Sequence, residues 1–128
     1  MGIEQSDLAS KSVQDLAAVL HYVYTACATN GISEKSLRNL RKHGISFEVA
    51  ALAFEDEYCL VGFDHIDEAG EQRWHAIGMI RIERGTPIVI LVVHAYRENR
   101  HGEEIIRIIS ARAAEKHEIR RYQEQAMD

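Results

Sequence analysis

Six residues of this chain have types that could do chemistry together: Arg73, His94, Arg97, Arg107, Arg112 and Tyr122. Arginine forks match phosphate oxygens and keep their charge near neutral pH, while histidine and tyrosine can pass a proton. Such a set suits clamping a phosphodiester and stabilising developing negative charge without a metal. Ion pairing with the glutamates of the last helix would use the same arginines, and spacing alone leaves both readings open. Arg107 is the sharpest case. It sits in Ile105-Ile106-Arg107-Ile108-Ile109, a β-branched run that reads as a buried strand. Arginine is rare there unless it is paired or aimed at an anion. On residue physics alone a carboxylate bridge is the favoured reading.

Other chemistries find less support. The seven histidines offer no i, i+4 or His-x-His pair, so a zinc or iron site is not expected. No local Ser–His–Asp motif and no Gly-rich phosphate loop occur, and no cofactor is implied. Cys27 and Cys59 lack metal-ligand spacing; without a basic and then apolar leader they are expected as reduced thiols, and cytoplasm as the location. The longest apolar run, Ile88 to Val93, suits a buried strand rather than a membrane span.

With 128 residues, 46% hydrophobic and 27% charged, the chain fits one globular domain. Its net charge of -5 argues against a protein that simply coats nucleic acid. The charge is segregated, however. Lys35, Arg38, Arg41 and Lys42 occur with no acid among them, whereas Glu57 to Glu71 is acidic without a base. That leaves room for a local phosphate-binding patch on an acidic protein.

These residues need elements to position them. After a polar start, the Ser12/Asp15 pair and the Leu16, Leu20, Val23, Cys27 stripe predict an amphipathic helix over Ser12 to Ala28, stopped at Thr29-Asn30-Gly31. Ser33 is an N-cap, with Ile32 able to staple onto Leu37, for a helix from Glu34 to His43; Gly44 stops it. Ser46 caps a further helix, Phe47 to Phe54. The period then changes to two. Strands are expected at Tyr58–Ile66, Gln72–Ile82, Ile88–Tyr96 and Glu104–Ser110, with turns at Asp67-Glu68-Ala69-Gly70, Glu83 to Pro87 and Arg97 to Gly102. A last helix is expected from Ala111 to Ala126. The sum is an α+β domain whose four strands form an antiparallel meander flanked by helices.

Four stretches then resemble one family. Arg41-Lys42-His43-Gly44-Ile45-Ser46-Phe47-Glu48 with Ala50, Glu71-Gln72-Arg73-Trp74 with Ile77-Gly78, Val92-Val93 with Arg97, and Arg107-Ile108-Ile109-Ser110-Ala111-Arg112-Ala113 with Glu118 and Tyr122 are similar to motifs of the BrnT family of bacterial type II toxins, in the same order. The resemblance covers residues 34–124. It implies a RelE-like fold, a metal-independent endoribonuclease that stalls growth, and a small BrnA antitoxin carrying a ribbon-helix-helix DNA-binding domain. DNA would be reached only through that antitoxin. Carried over by position, the motif residues are His43, Glu71, Arg73, Arg97, Arg107, Ser110, Arg112, Glu118 and Tyr122. The family's short strand before the first helix is replaced here by Thr29-Asn30-Gly31-Ile32, and residues 1–33 form an extension to a toxin domain at 34–128.

Roles follow for RNA cleavage by the ribose 2′-OH. Arg73, Arg97 and Arg107 are assigned to the phosphate, with Arg112 second because it can instead anchor Glu118. His94 or His43 is assigned to proton transfer, with Glu71 and Tyr122 as alternatives. A second class stays open: a non-catalytic toxin relative whose surface serves an antitoxin-type partner or its own homodimer. Burial of all three arginine heads in carboxylate pairs would favour the second.

Overall fold

The computed structural model describes residues 33–81 and 85–127. The expected Ser12–Ala28 helix, the Ile32 staple and the middle of the Glu83–Pro87 turn lie outside those residues. Helix α1 spans Glu34–His43. The Ser33 side chain accepts from the Ser36 N–H at its start, and Gly44, at φ 76°, closes its end by donating to the Leu40 carbonyl. That left-handed conformation is one a glycine adopts without cost. Helix α2, Phe47–Ala50, is capped by Ser46 and continues as a 3-10 turn, Ala51–Glu55. The expected helix over Phe47 to Phe54 is therefore one α-helical turn followed by a tighter 3-10 piece.

Strands β1 (Leu60–Ile66), β2 (Gln72–Ile80), β3 (Ile88–Glu98) and β4 (Glu104–Ala113) form one antiparallel sheet in the order β1-β2-β3-β4, the meander read from the sequence. Strand β1 begins at Leu60 rather than Tyr58 because Asp56 holds the chain in a turn. Its side chain accepts from the Tyr58 N–H and its carbonyl from the Cys59 N–H, both at 3.0 Å. Helix α3 spans Lys116–Met127.

One boundary differs in a way that matters. Ala111 to Ala113 is strand, not the start of the last helix. Val92 pairs with Ala111, Leu91 with Arg112 and Ile90 with Ala113, and Ala111 is fully buried. Alanine favours helices locally, but the ladder and the burial override that weak preference.

The sheet is covered on both faces. On one, Ala76, Ile80, Ile90, Val92, Ile106, Ile108 and Ala111 pack against Phe47, Ala50, Ala51, Ala53 and Phe54. The approach is close at Gly78, where a Cβ would stand 2.6 Å from the Ala53 carbonyl oxygen. On the other, Ile77 and Leu91 pack against Tyr122 of α3. Tyr122 also donates to the Asp56 carboxylate, which accepts in addition from the Met79 N–H at 2.8 Å. Among the described residues no helix is long and apolar enough to cross a membrane.

Candidate active site

The edge of β4 is where the site is built. An edge strand leaves backbone groups without ladder partners, and α1 covers them with one buried side chain. The Asn39 amide donates to the Ala111 carbonyl at 2.9 Å and accepts from the Ala111 N–H at 3.1 Å, while also donating to the Ile45 carbonyl. Buried Ser36 ties α1 to α2: its hydroxyl accepts from the Phe47 N–H and donates to Glu48. These bonds explain the Arg41–Glu48 motif as the corner that docks α1 along β4. Next to the docking point the ladder is irregular: pairing passes from Val93↔Ser110 to His94↔Ile108, so Ile109 bulges out.

A groove of about 330 Å³ runs between that edge and α1, lined by Lys35, Arg38, Asn39, Lys42, His43, Arg73, Arg107, Ile108, Ile109 and Ser110. No acid lies among these lining residues. Three of the four α1 bases noted in the sequence as a run, Lys35, Arg38 and Lys42, thus face the same space as two of the sheet arginines.

Arg73, Arg97 and Arg107 converge on one carboxylate. Arg107 Nη2 donates to Glu71 Oε1 at 2.6 Å, Arg97 Nη2 donates to Glu71 Oε2 at 3.1 Å, and Arg73 Nη1 lies 3.2 Å from Oε1. Arg73 Nη2 donates to Asp67 at 2.6 Å. The Glu71 N–H, with the Arg73 fork behind it, holds the Asp67 carboxyl below its usual range. The three arginines are therefore paired, but they are not all buried. Their side chains are 17% (Arg73), 31% (Arg107) and 52% (Arg97) exposed. Among the described residues the groove and its rim gather Lys35, Arg38, Lys42, Arg73, Arg97 and Arg107, whose ion pairs run to Glu71 and Asp67, an excess of positive charge. Two donors in this cluster, Arg73 Nη1 and Arg107 Nε, are buried without a hydrogen-bond acceptor.

Of the remaining sequence candidates His43 shares the groove, whereas His94, Arg112 and Tyr122 separate from it. His43 stands exposed on the groove wall. His94 is fully buried, edge-on to Phe54 at 5.0 Å and to Tyr96 at 5.1 Å, and burial pushes its imidazole down to about 4. Burial thus favours the neutral ring at pH 7, and His94 is not among the residues that line the groove. Arg112 forms a two-pronged pair with Glu118, at 2.8 and 2.9 Å, which keeps the glutamate below its usual range. Burial and the bond to Asp56 push the Tyr122 phenol up. Arg112 and Tyr122 thus anchor α3 to the sheet, away from the groove. Glu115, His117 and Glu118 lie close enough to share a cation, but both Glu118 oxygens are already committed to Arg112.

Sequence reasoning missed Ser36, Asn39 and Asp56. A lone polar residue on a helix or in a turn carries no local mark of a partner: Asn39 meets Ala111 across 72 positions. The α1 bases were legible as charge, but not as neighbours of Arg73 and Arg107.

Residues 33–118 match a family model described as "Ribonuclease toxin, BrnT, of type II toxin-antitoxin system". Among curated proteins no relative matches this chain.

Proposed function

The chain belongs to the BrnT family of ribonuclease toxins of type II toxin–antitoxin systems, and from that premise we propose that it is a metal-independent endoribonuclease, RelE-like in fold, that cuts RNA in the groove between α1 and β4. The observation that carries the reading is the acid-free basic lining of that groove. Arg73 and Arg107 hold the scissile phosphate, and Arg97, half in solvent, reaches it from the outer side. Lys35, Arg38 and Lys42 follow the flanking backbone. The 2′-OH attacks the adjacent phosphorus and expels the 5′-oxygen. His43 lies in the same wall and is the proton-transfer group we assign, a role that can be worth about a hundred- to ten-thousand-fold in rate. His94, Arg112 and Tyr122 hold the scaffold in this reading. Glu71 orients the arginines rather than acting as a base, because both its oxygens accept from guanidiniums.

The partner we propose is a BrnA-like ribbon-helix-helix antitoxin that covers the groove and carries the pair to DNA, with action in the cytoplasm, where the RNA is. No DNA-reading motif is recognisable in the sequence, so operator binding should require that partner. A homodimer and a role for residues 1–33 as an extension to the toxin domain belong to the same reading.

The shared pairing of three arginines on Glu71 favours one alternative, a non-catalytic toxin relative that only binds its partner. RNA cleavage by the purified chain in EDTA separates the two. Wild type should cut, whereas Arg107→Ala and Arg73→Ala should fold, bind antitoxin and lose cleavage. Full-rate cleavage by both folded variants would overturn the assignment, and a folded wild type that cuts no RNA would leave the binding module.

A further inference from the structure

We propose that Glu71 is the groove's own counter-anion: it occupies the place of an RNA phosphate on Arg73, Arg97 and Arg107 and competes with it. This rests on the groove being the RNA site and names how that site is controlled. A carboxylate bridging three guanidiniums presents two oxygens to the same forks that a phosphodiester's non-bridging oxygens would fill. The cluster is arranged so that the exchange is local. The Glu71 N–H donates to Asp67 Oδ1 at 2.8 Å and its carbonyl accepts from the Asp67 N–H at 2.9 Å, so the main chain is pinned while the side chain can swing. The Glu71 side chain is already 26% exposed. Asp67 keeps its own bond to Arg73 and holds that arginine in place when Glu71 leaves.

Two further donors explain why phosphate can win. Arg107 Nε is buried with no hydrogen bond, and Arg73 Nη1 meets Glu71 Oε1 only as a 3.2 Å ion-pair contact that makes no hydrogen bond, so Glu71 leaves part of the cluster's donor capacity unused. Leaving a buried donor unsatisfied is costly, and a phosphodiester, whose two non-bridging oxygens stand wider apart on a tetrahedral phosphorus, can reach donors that a planar carboxylate does not. The cluster therefore always carries an anion: Glu71 when the groove is free, phosphate when RNA is bound.

The test uses the full chain and a 2′-O-methyl RNA oligonucleotide, which binds but offers no attacking hydroxyl. Binding is measured by fluorescence anisotropy at fixed salt, alongside thermal melting with and without the oligonucleotide. Glu71→Gln should bind about tenfold more tightly than wild type, melt lower when free, and regain more stability than wild type on adding the oligonucleotide. Glu71→Asp, which keeps the charge but cannot reach all three arginines, should bind tighter than wild type by a smaller factor. It serves as the readout if Glu71→Gln does not fold. Arg107→Ala should bind more weakly. If Arg107→Ala loses binding while both Glu71 variants bind no better than wild type, Glu71 merely orients the arginines and this proposal fails with the groove intact. If Arg107→Ala binds as well as wild type, the groove is not the RNA site, and the proposal falls with it.

Discussion

A histidine sealed among aromatic rings makes folding depend on pH, and His94 is so placed. Burial lowers its proton affinity in the native state to about 4, while the unfolded chain binds a proton near the ordinary value of about 6.5. Stability is therefore full above pH ~6.5, falls as the pH drops toward ~4 because only the unfolded state is gaining the proton, and levels off below that. The loss amounts to roughly 3 kcal/mol by the usual conversion of a pKa shift. Replacing the ring, as in His94→Leu, should flatten the denaturation midpoint between pH 6.5 and 4 and leave RNA cleavage within a few-fold of wild type. Loss of cleavage in a folded His94→Leu protein would return this histidine to the mechanism. Glu118 acts in the same direction at lower pH. Its carboxyl is held down by Arg112, so the stability it contributes is present above the unfolded value and is lost as pH falls through the lowered one. Glu118→Gln should make the acid limb shallower and cost about 1–3 kcal/mol at pH 7, as expected for a hydrogen-bonded ion pair that loses its charge. Unchanged urea midpoints would refute that role.

At the scale of elements, local signals located most of the structure. Ser33 and Gly44 bound α1 where capping chemistry predicts, and two-residue alternation with short turns gave the antiparallel order. The misplaced boundary at Ala111 has a long-range cause, since the ladder to β3 and burial against α1 and α2 decide it. The site divides along the same line. Arg107 was recognisable because an arginine within a buried strand is unusual, and Arg73 and Arg97 as arginines on or beside strands within the family-like motifs, but their common partner Glu71 stands 36 positions from Arg107. His94 was misleading because β3 is apolar on both faces, so alternation did not reveal whether its ring points to core or solvent. Two substitutions probe the contacts that sequence does not announce. Asn39→Ala removes both bonds to the β4 edge and should cost about 1–3 kcal/mol, since the Ala111 groups are left buried without partners. Gly78→Ala puts a methyl against the Ala53 carbonyl and should cost a similar ~1–3 kcal/mol by overpacking. Melting temperatures within a degree of wild type for either would show that α1 or the 3-10 turn is not held as described.

The molecule as a whole is acidic, with net charge -5, yet the lining of the proposed RNA groove carries cations and no acid. Such segregation concentrates attraction at one place and weakens it elsewhere, which favours a docked strand over diffuse coating. Salt dependence can count the contacts. For single strands the logarithm of affinity falls against the logarithm of salt concentration with a slope of about -0.7 for each phosphate neutralised. Lys35, Arg38 and Lys42 line the groove from α1 and are exposed, so each is removable without disturbing the core. Lys42→Ala and Arg38→Ala should each make the slope shallower by about 0.7, weaken oligonucleotide binding equally across sequences, and leave the melting temperature unchanged. Arg120 and Arg121 are equally exposed but lie on α3, outside the groove. Their alanine variants lose the same formal charge and should leave the slope where it was. Equal slope changes from α1 and α3 variants would mean that RNA responds to total charge rather than to the groove, and the docking argument would then fail.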